Sequence, residues 1–140
     1  GALRNALDQI SALKEELEES GEHFALCRDS TEARKASKMG RIGIFLSLEG
    51  DERHGKDILL LRTFFDLGVR FIGLTWSRRN YAGDGSSFDP SDAPKFQGGL
   101  TKFGSELVAA AQNMGMVVDV NHLNDPGIRT AGHFAARRGT

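Results

Sequence analysis

The segment Arg41-Ile-Gly-Ile-Phe-Leu-Ser-Leu-Glu49-Gly50 decides the fold of this chain. It is an apolar run that ends in a carboxylate and a glycine. Such a run predicts a strand, here Ile42–Leu48, that is buried on both faces, as in a parallel sheet covered by helices. A carboxylate is costly at the end of a buried strand unless it binds something, so Glu49 is a candidate functional residue. The alternative is a strand-end carboxylate that simply meets solvent.

Length and composition favour one globular domain, because 140 residues are enough for a hydrophobic core. The net charge is −1 and the basic residues are spread along the chain, so no nucleic acid partner is expected. No segment approaches the ~18 apolar residues that a membrane span requires. No signal peptide is visible, which favours the cytoplasm but means little if the chain is a fragment. The single cysteine, Cys27, excludes an internal disulfide and is best explained as a small buried residue.

Predicted helices and strands alternate along the chain. Helices are predicted over Ala2–Ser20, Thr31–Lys38, Asp57–Leu67, Leu100–Asn113 and from Asp125 onward. Strands are predicted over Ile42–Leu48, Val69–Thr75 and Met116–Val120, with a short one around Phe24–Leu26. Polar loops are predicted over Asp51–Lys56 and Ser77–Gly99. The second loop exceeds ~12–15 residues, a length that is typical of functional or mobile loops.

One pattern occurs three times: a helix, an apolar residue with a glycine, a short strand, and then a chemically capable residue. The glycines are Gly40, Gly68 and Gly115, and the residues that end the three units are Glu49, Trp76 and His122. Alternating helices and buried strands indicate βα units and a parallel sheet with right-handed crossovers. The three residues then fall at the carboxyl edge of the sheet, where open α/β sheets and β/α barrels carry their active sites.

Glu49 and His122 are a reasonable pair of metal ligands, since carboxylate oxygen and imidazole nitrogen suit Zn²⁺ and related ions. Two ligands do not complete a site, and His122 could instead be a loop histidine that bonds the neighbouring backbone. Trp76 is more readily a core or pocket-wall aromatic than a substrate contact. Asp119, inside the third strand, could bond within the sheet or orient His122.

Five motifs follow each other along the chain. They are Leu46-Ser-Leu-Glu49-Gly50; Leu60-Leu-Arg62 with Leu67-Gly68-Val-Arg70; Leu74-Thr75-Trp76 with Asn80; Gly99-Leu100-Thr101-Lys-Phe103-Gly104; and Asn113-Met-Gly115-Met-Val-Val-Asp119-Val-Asn-His122. Their order and spacing resemble the membrane (renal-type) dipeptidases, the M19 metallopeptidases. No single motif is diagnostic, but the whole series is specific and the resemblance covers most of the chain.

The resemblance implies a (β/α)8 barrel with two zinc ions bridged by a glutamate, which hydrolyses dipeptides or related small amides. Glu49 matches the bridging carboxylate, and His122 matches a histidine ligand of the second metal. Trp76 stands where many members carry a substrate-contacting histidine, and Asn80 follows in the same motif, so both are candidate substrate-binding residues. Many members have a glycine and a histidine where this chain has Asp51-Glu52.

The resemblance also implies that this chain is an internal fragment. The family's His-x-Asp pair does not precede the first helix, and the remaining ligands and substrate-binding residues would follow Thr140. A complete barrel needs ~250 residues. Residues 1–140 are therefore expected to form a single incomplete barrel domain with about four parallel strands, barrel strands two to five. Its unpaired strand edges predict self-association, and its missing ligands predict that it is inactive alone.

Two other interpretations stay open. A small doubly wound α/β module could bind a ligand over the same edge without hydrolysing it. Against a nucleotide site of that kind, Gly83-x-Gly85 does not directly follow a strand. A degenerate, non-catalytic relative of the dipeptidases would explain the departures at Trp76, Asp51 and Glu52.

Overall fold

The computed structural model describes residues 1–50, 57–89, 91 and 97–136, so the predicted loop Asp51–Lys56 lies outside the described residues. The elements are α1 (Ala2–Glu19), β1 (Phe24–Leu26), α2 (Ser30–Lys38), β2 (Ile42–Ile44), β3 (Leu46–Glu49), α3 (Leu59–Asp66), β4 (Val69–Gly73), α4 (Lys102–Met114), β5 (Val117–Asp119) and α5 (Asp125–Ala136). Within the described ranges, no helix combines the length and the apolar character that crossing a membrane requires.

The strands pair in parallel and in chain order. β1 pairs with β2, and β4 lies between β3 and β5. The predicted parallel sheet of βα units is therefore confirmed. Among the described strands, the order shows no reversal of the kind that marks a doubly wound sheet.

The predicted single strand Ile42–Leu48 is wrong in one respect, because it consists of two strands. The chain changes partner at Phe45, so that β2 pairs with β1 whereas β3 pairs with β4. The register also shifts, since Leu46 lies opposite Val69 but Ser47 lies opposite Phe71. The apolar run itself is continuous, so its pattern carries no sign of the change of partner.

The expectation that this segment is buried on both faces is also wrong. Leu46 and Leu48 are buried against the helices, whereas Ser47 and Glu49 are exposed on the other face. Ile42 and Phe45 of this segment are exposed, as are Val117 of β5 and Val120, which follows β5. The interior of a β/α barrel is filled by such residues, so the segment is apolar on both faces although helices cover only one.

The core lies between the sheet and the helices. Leu61 and Phe64 of α3, Ile72 of β4 and Leu107 of α4 are all fully buried. Ile72 lies in register between residues of both neighbouring strands, so the helix-facing side of the sheet is continuous. Close packing of such residues makes each one costly to truncate.

The helix ends follow the local signals in the sequence. The Asp29 carboxylate caps α2 by accepting the Glu32 N–H at 2.8 Å, and the Thr101 hydroxyl caps α4 by accepting the Gly104 N–H at 3.0 Å. Gly115 ends α4 with φ 84°, a left-handed conformation that suits glycine. Strand β5 begins two residues later, so this turn sets where the strand begins.

The helix α3 offers a matched pair of leucines that tests the packing. Leu61 is 0% exposed and Leu59 is 80% exposed. Leu61→Ala is expected to lower the free energy of unfolding by ~2–5 kcal/mol because it leaves a cavity. Leu59→Ala is expected to change it by less than ~0.5 kcal/mol. Urea unfolding followed by circular dichroism measures both, and equal effects would contradict the described orientation of α3.

Candidate active site

Glu49 and His122 come together at the carboxyl edge of the sheet. The register places Glu49 opposite Gly73 and Gly73 opposite Asp119, three residues before His122. Glu49 Oε1 lies 3.6 Å from His122 Nε2. Both side chains line one recess, together with Gly73 and Asp119. The two residues predicted as metal ligands are therefore neighbours, although they come from non-adjacent strands.

Gly50 positions Glu49 by ending the strand. Its φ is 76°, and its N–H donates to the Gly73 carbonyl at 3.0 Å. The chain turns away at that point and leaves the Glu49 side chain at the edge, 57% exposed. The carboxylate is thus held by its backbone and open to the surface.

The backbone of His122 is in an unusual conformation. Among the described residues other than glycine, it alone has a positive φ, 64°. Its carbonyl accepts the Thr75 hydroxyl at 3.0 Å and the Ser86 N–H at 2.7 Å. A side chain in the left-handed region costs energy and persists where the surroundings hold it. Here Thr75, two residues after β4, and Ser86 of the long loop hold the backbone of His122 from two sides.

The imidazole of His122 belongs to a cluster of three rings with Trp76 and Phe88. The Trp76 and His122 ring centroids are 4.1 Å apart with an interplanar angle of 34°. Phe88 contacts both rings edge-on, at 6.2 Å from His122 and 6.4 Å from Trp76. Trp76 is 44% exposed and lines a second recess with Glu49 and Asn80. It is therefore a wall residue of the recess and not part of the core.

The Asn80 side chain is engaged in its own turn. Its amide group donates to the Leu74 carbonyl at 2.8 Å, and its oxygen accepts the N–H groups of Ala82 at 2.9 Å and Gly83 at 3.2 Å. Asn80 therefore shapes the segment that follows Trp76. A direct contact of Asn80 with substrate stays a prediction.

The Asp119 carboxylate accepts the Asn121 N–H at 2.9 Å. This bond closes the turn between β5 and His122. The described bond of Asp119 is therefore to the backbone next to His122. An effect of Asp119 on the orientation of the His122 ring stays a prediction.

An ion pair between the exposed Arg79 and the buried Asp84, which sequence reasoning missed, organises the long loop. The Asp84 carboxylate, only 2% exposed, accepts two hydrogen bonds from the Arg79 guanidinium and one from the Gly98 N–H at 2.9 Å. The bond from Arg79 is the main reason that the pKa of Asp84 lies below its ordinary value. The Asn124 side chain also donates to the Gly98 carbonyl at 2.5 Å. The start and the end of the loop are thus tied to each other and to the segment after His122.

Gly85 brings this loop against the end of β4. A Cβ on Gly85 would lie 2.0 Å from the Trp76 carbonyl oxygen, so no larger residue fits without moving the backbone. Gly85 also pairs with Leu123, next to His122. The Gly83-x-Gly85 motif therefore has a packing role at the site.

The side-chain oxygen of Glu49 and the ring nitrogen of His122 are of the types, and at the separation, expected for two ligands of one metal site. A carboxylate oxygen and an imidazole nitrogen that face each other across 3.6 Å suit zinc as neighbouring ligands. Within the described ranges, no group of three His, Cys, Asp or Glu side chains is placed to hold an ion. Among the described residues, Glu49 and His122 are thus two candidate ligands and do not form a complete metal site.

Parallel βα units with a carboxylate and an imidazole at their carboxyl edge are typical of β/α-barrel proteins, which carry their active sites at that edge. The family model of the membrane dipeptidases, peptidase family M19, matches residues 1–136. The chain belongs to this family, as its motifs predicted.

Individual relatives agree with the family match. Dipeptidase verJ of Clonostachys rogersoniana is 31% identical over 121 residues, which cover 86% of this chain and 30% of the relative. A metallo peptidase of Rhodobacter sphaeroides, solved with a phosphinate mimic of the dipeptide L-Ala-D-Ala, is 30% identical with a TM-score of 0.84 and covers 91% of this chain. An amidohydrolase of Pseudomonas aeruginosa, 22% identical with a TM-score of 0.80 over 91% of this chain, shares the fold.

This chain spans 36% of the Rhodobacter chain and 37% of the Pseudomonas chain. The structural neighbours of this family have a TIM-barrel fold, so the described strands and helices are part of such a barrel, as predicted. The small doubly wound module is the wrong interpretation.

The buried Asp84 pair makes loop stability depend on pH. Asp84→Asn is expected to lower the free energy of unfolding by ~1–3 kcal/mol at pH 7, because it removes the charge that Arg79 and Gly98 bind. The pKa of Asp84 is lowered on folding, so this stabilisation is complete above its unfolded pKa, ~3.9, and is lost as the pH falls through its folded pKa. The difference between wild type and variant should therefore be constant from about pH 5 to 7 and shrink below about pH 4.

Asp66→Asn is the control, because Asp66 pairs with Arg62 at 2.9 Å but is exposed. Its effect is expected to stay below ~1 kcal/mol. Thermal unfolding of both variants from pH 3 to 7 makes the comparison. A difference for Asp84→Asn that grows as the pH falls would contradict the lowered pKa.

Proposed function

We propose that this chain forms part of the active site of a zinc-dependent dipeptidase. Glu49 and His122 would hold the metal: Glu49 as a carboxylate shared by two zinc ions, and His122 as a nitrogen ligand of the second ion. The substrate is a dipeptide or a related small amide. The observation that carries the proposal is the 3.6 Å approach of Glu49 Oε1 to His122 Nε2 at the carboxyl edge of the sheet. Membership of the membrane dipeptidase family supports the same reaction class.

The residues of this chain have separate tasks in that reaction. A pair of zinc ions, when bound, supplies Lewis-acid polarisation of the scissile carbonyl and activation of the attacking water. Glu49 would supply a negative charge that offsets the repulsion between two bound cations. The backbone of His122 is fixed on two sides, and its Nε2 lies 3.6 Å from Glu49 Oε1. Trp76 provides an apolar wall of the recess that also contains Glu49.

Substitution of the two ligands tests the proposal in the full-length protein. Glu49→Gln is expected to abolish tight binding of the zinc pair, because an amide carries no charge and bridges cations poorly. His122→Ala is expected to lose one zinc ion. Both should reduce hydrolysis of a dipeptide by at least ~100-fold, in line with the loss of a metal ligand. Elemental analysis gives the zinc content, and hydrolysis of L-Ala-D-Ala gives the activity.

Glu106→Gln is the matched control, because Glu106 is exposed on α4 and pairs with Lys102 at 3.8 Å. Its zinc content and activity should equal those of the wild type. Retention of two zinc ions by Glu49→Gln would refute the bridging role. A wild-type protein that binds zinc and hydrolyses no dipeptide would favour the interpretation as a non-catalytic relative. The tryptophan at position 76, where many members carry a histidine, is the residue that suggests this interpretation.

The 140-residue chain on its own is expected to be inactive and to self-associate. Within the described ranges no three potential ligands are grouped, and Ile42, Phe45 and Val117 are exposed on apolar surface. Apolar surface of this kind promotes association. No cleavage of L-Ala-D-Ala in the presence of zinc is expected, and ultracentrifugation should show oligomers at micromolar concentration. A monomer that hydrolyses the dipeptide would contradict both expectations.

A further inference from the structure

We infer that Trp76 is a positioning residue for His122: its indole holds the imidazole ring in the orientation that directs Nε2 toward Glu49. The inference rests on the proposed role of Glu49 and His122 as zinc ligands. It assigns to Trp76 a task that is independent of substrate.

The imidazole ring requires a partner that fixes its rotation. The hydrogen bonds from Thr75 and Ser86 reach the His122 carbonyl and fix only the backbone. Rotation of a histidine ring about χ2 has a broad energy minimum, so packing must select one orientation. Trp76 supplies that packing, with ring centroids 4.1 Å apart and planes inclined by 34°.

Trp76 is itself held firmly enough to position another ring. It follows Thr75, which is fully buried, and its carbonyl lies directly against Gly85 of the long loop. Its indole meets the Phe88 ring edge-on at 6.4 Å. Phe88 belongs to the loop that also contains the Asp84 ion pair, so the ring cluster joins Trp76 to that loop.

The geometry leaves the ligand atom accessible. The indole packs against a face of the imidazole, whereas Nε2, on the ring edge, lies 3.6 Å from Glu49 Oε1. A contact on the ring face restricts rotation without blocking the nitrogen. Residues that orient a metal-binding histidine typically change metal affinity by ~10–100-fold when they are removed. A stacking contact without a hydrogen bond is expected to fall at the lower end of that range.

The test is zinc affinity without substrate, measured on the full-length protein by competition with a chromophoric chelator. Trp76→Ala is expected to weaken zinc binding about 10-fold, whereas Trp76→Phe, which keeps a ring face, should stay within about 3-fold of wild type. Tyr81→Ala is the control, since Tyr81 is an exposed aromatic on the same loop, and it should leave the affinity unchanged. Trp76→Leu replaces Trp76→Ala if the latter does not fold, with the same weakening expected.

The visible absorption spectrum of the Co²⁺-substituted protein reports ligand geometry directly. It should change in Trp76→Ala and return toward the wild-type spectrum in Trp76→Phe. Wild-type zinc affinity and spectrum in Trp76→Ala would overturn the inference and leave Trp76 as a substrate contact only. If Glu49→Gln and His122→Ala also bind zinc like the wild type, the proposed function fails as well. The two failures are therefore distinguishable.

Discussion

The parallel register of β3, β4 and β5 is the constraint on which the rest of the site depends. It aligns Glu49, Gly73 and Asp119 across three strands at their carboxyl ends. Side chains alternate along a strand, so a slip of one residue would turn Glu49 toward the helices and bring Leu48 to the open face. The buried contacts of Leu48 and Ile72 with the helices prevent that slip. The hydrophobic core thereby determines which face of the sheet receives the carboxylate.

The long loop adds orientation to the positions that the strands provide. Its ion pair between Arg79 and Asp84 lies where the carboxylate is almost fully buried, so loss of the pairing would leave a charge away from water. The same loop donates the Ser86 N–H to the His122 carbonyl and places Phe88 against the His122 ring. Strand ends bring His122 near Glu49, and the loop fixes how His122 faces it.

Local sequence patterns predicted the helices and strands, and with them the sheet edge at which Glu49 and His122 meet. The spacing of apolar residues, the capping residues and the glycine turns are each encoded within a few residues. Long-range pairing was not predictable in the same way. The change of strand partner at Phe45 depends on β1 and β4, and the apolar run looks the same with or without it. Burial on both faces was inferred because a barrel interior and a helix-covered face are equally apolar in sequence. The contact of Gly85 with Trp76 joins the long loop to the residue that precedes it. No pattern in the neighbouring residues predicts how this loop folds.

The surroundings of Glu49 and His122 give the two residues different weight as indications of a site. Burial of a carboxylate at the end of a strand costs free energy, but the Glu49 side chain is 57% exposed on the open face. Its location therefore costs little free energy and by itself is weak evidence of a functional role. His122 carries more weight, because a histidine with φ 64° is strained and is held by bonds from two other segments. Strain of this kind is retained where the surrounding structure enforces it, and here it accompanies a nitrogen that lies 3.6 Å from the Glu49 carboxylate. The pair, and not the lone carboxylate, is therefore the stronger support for the proposed site.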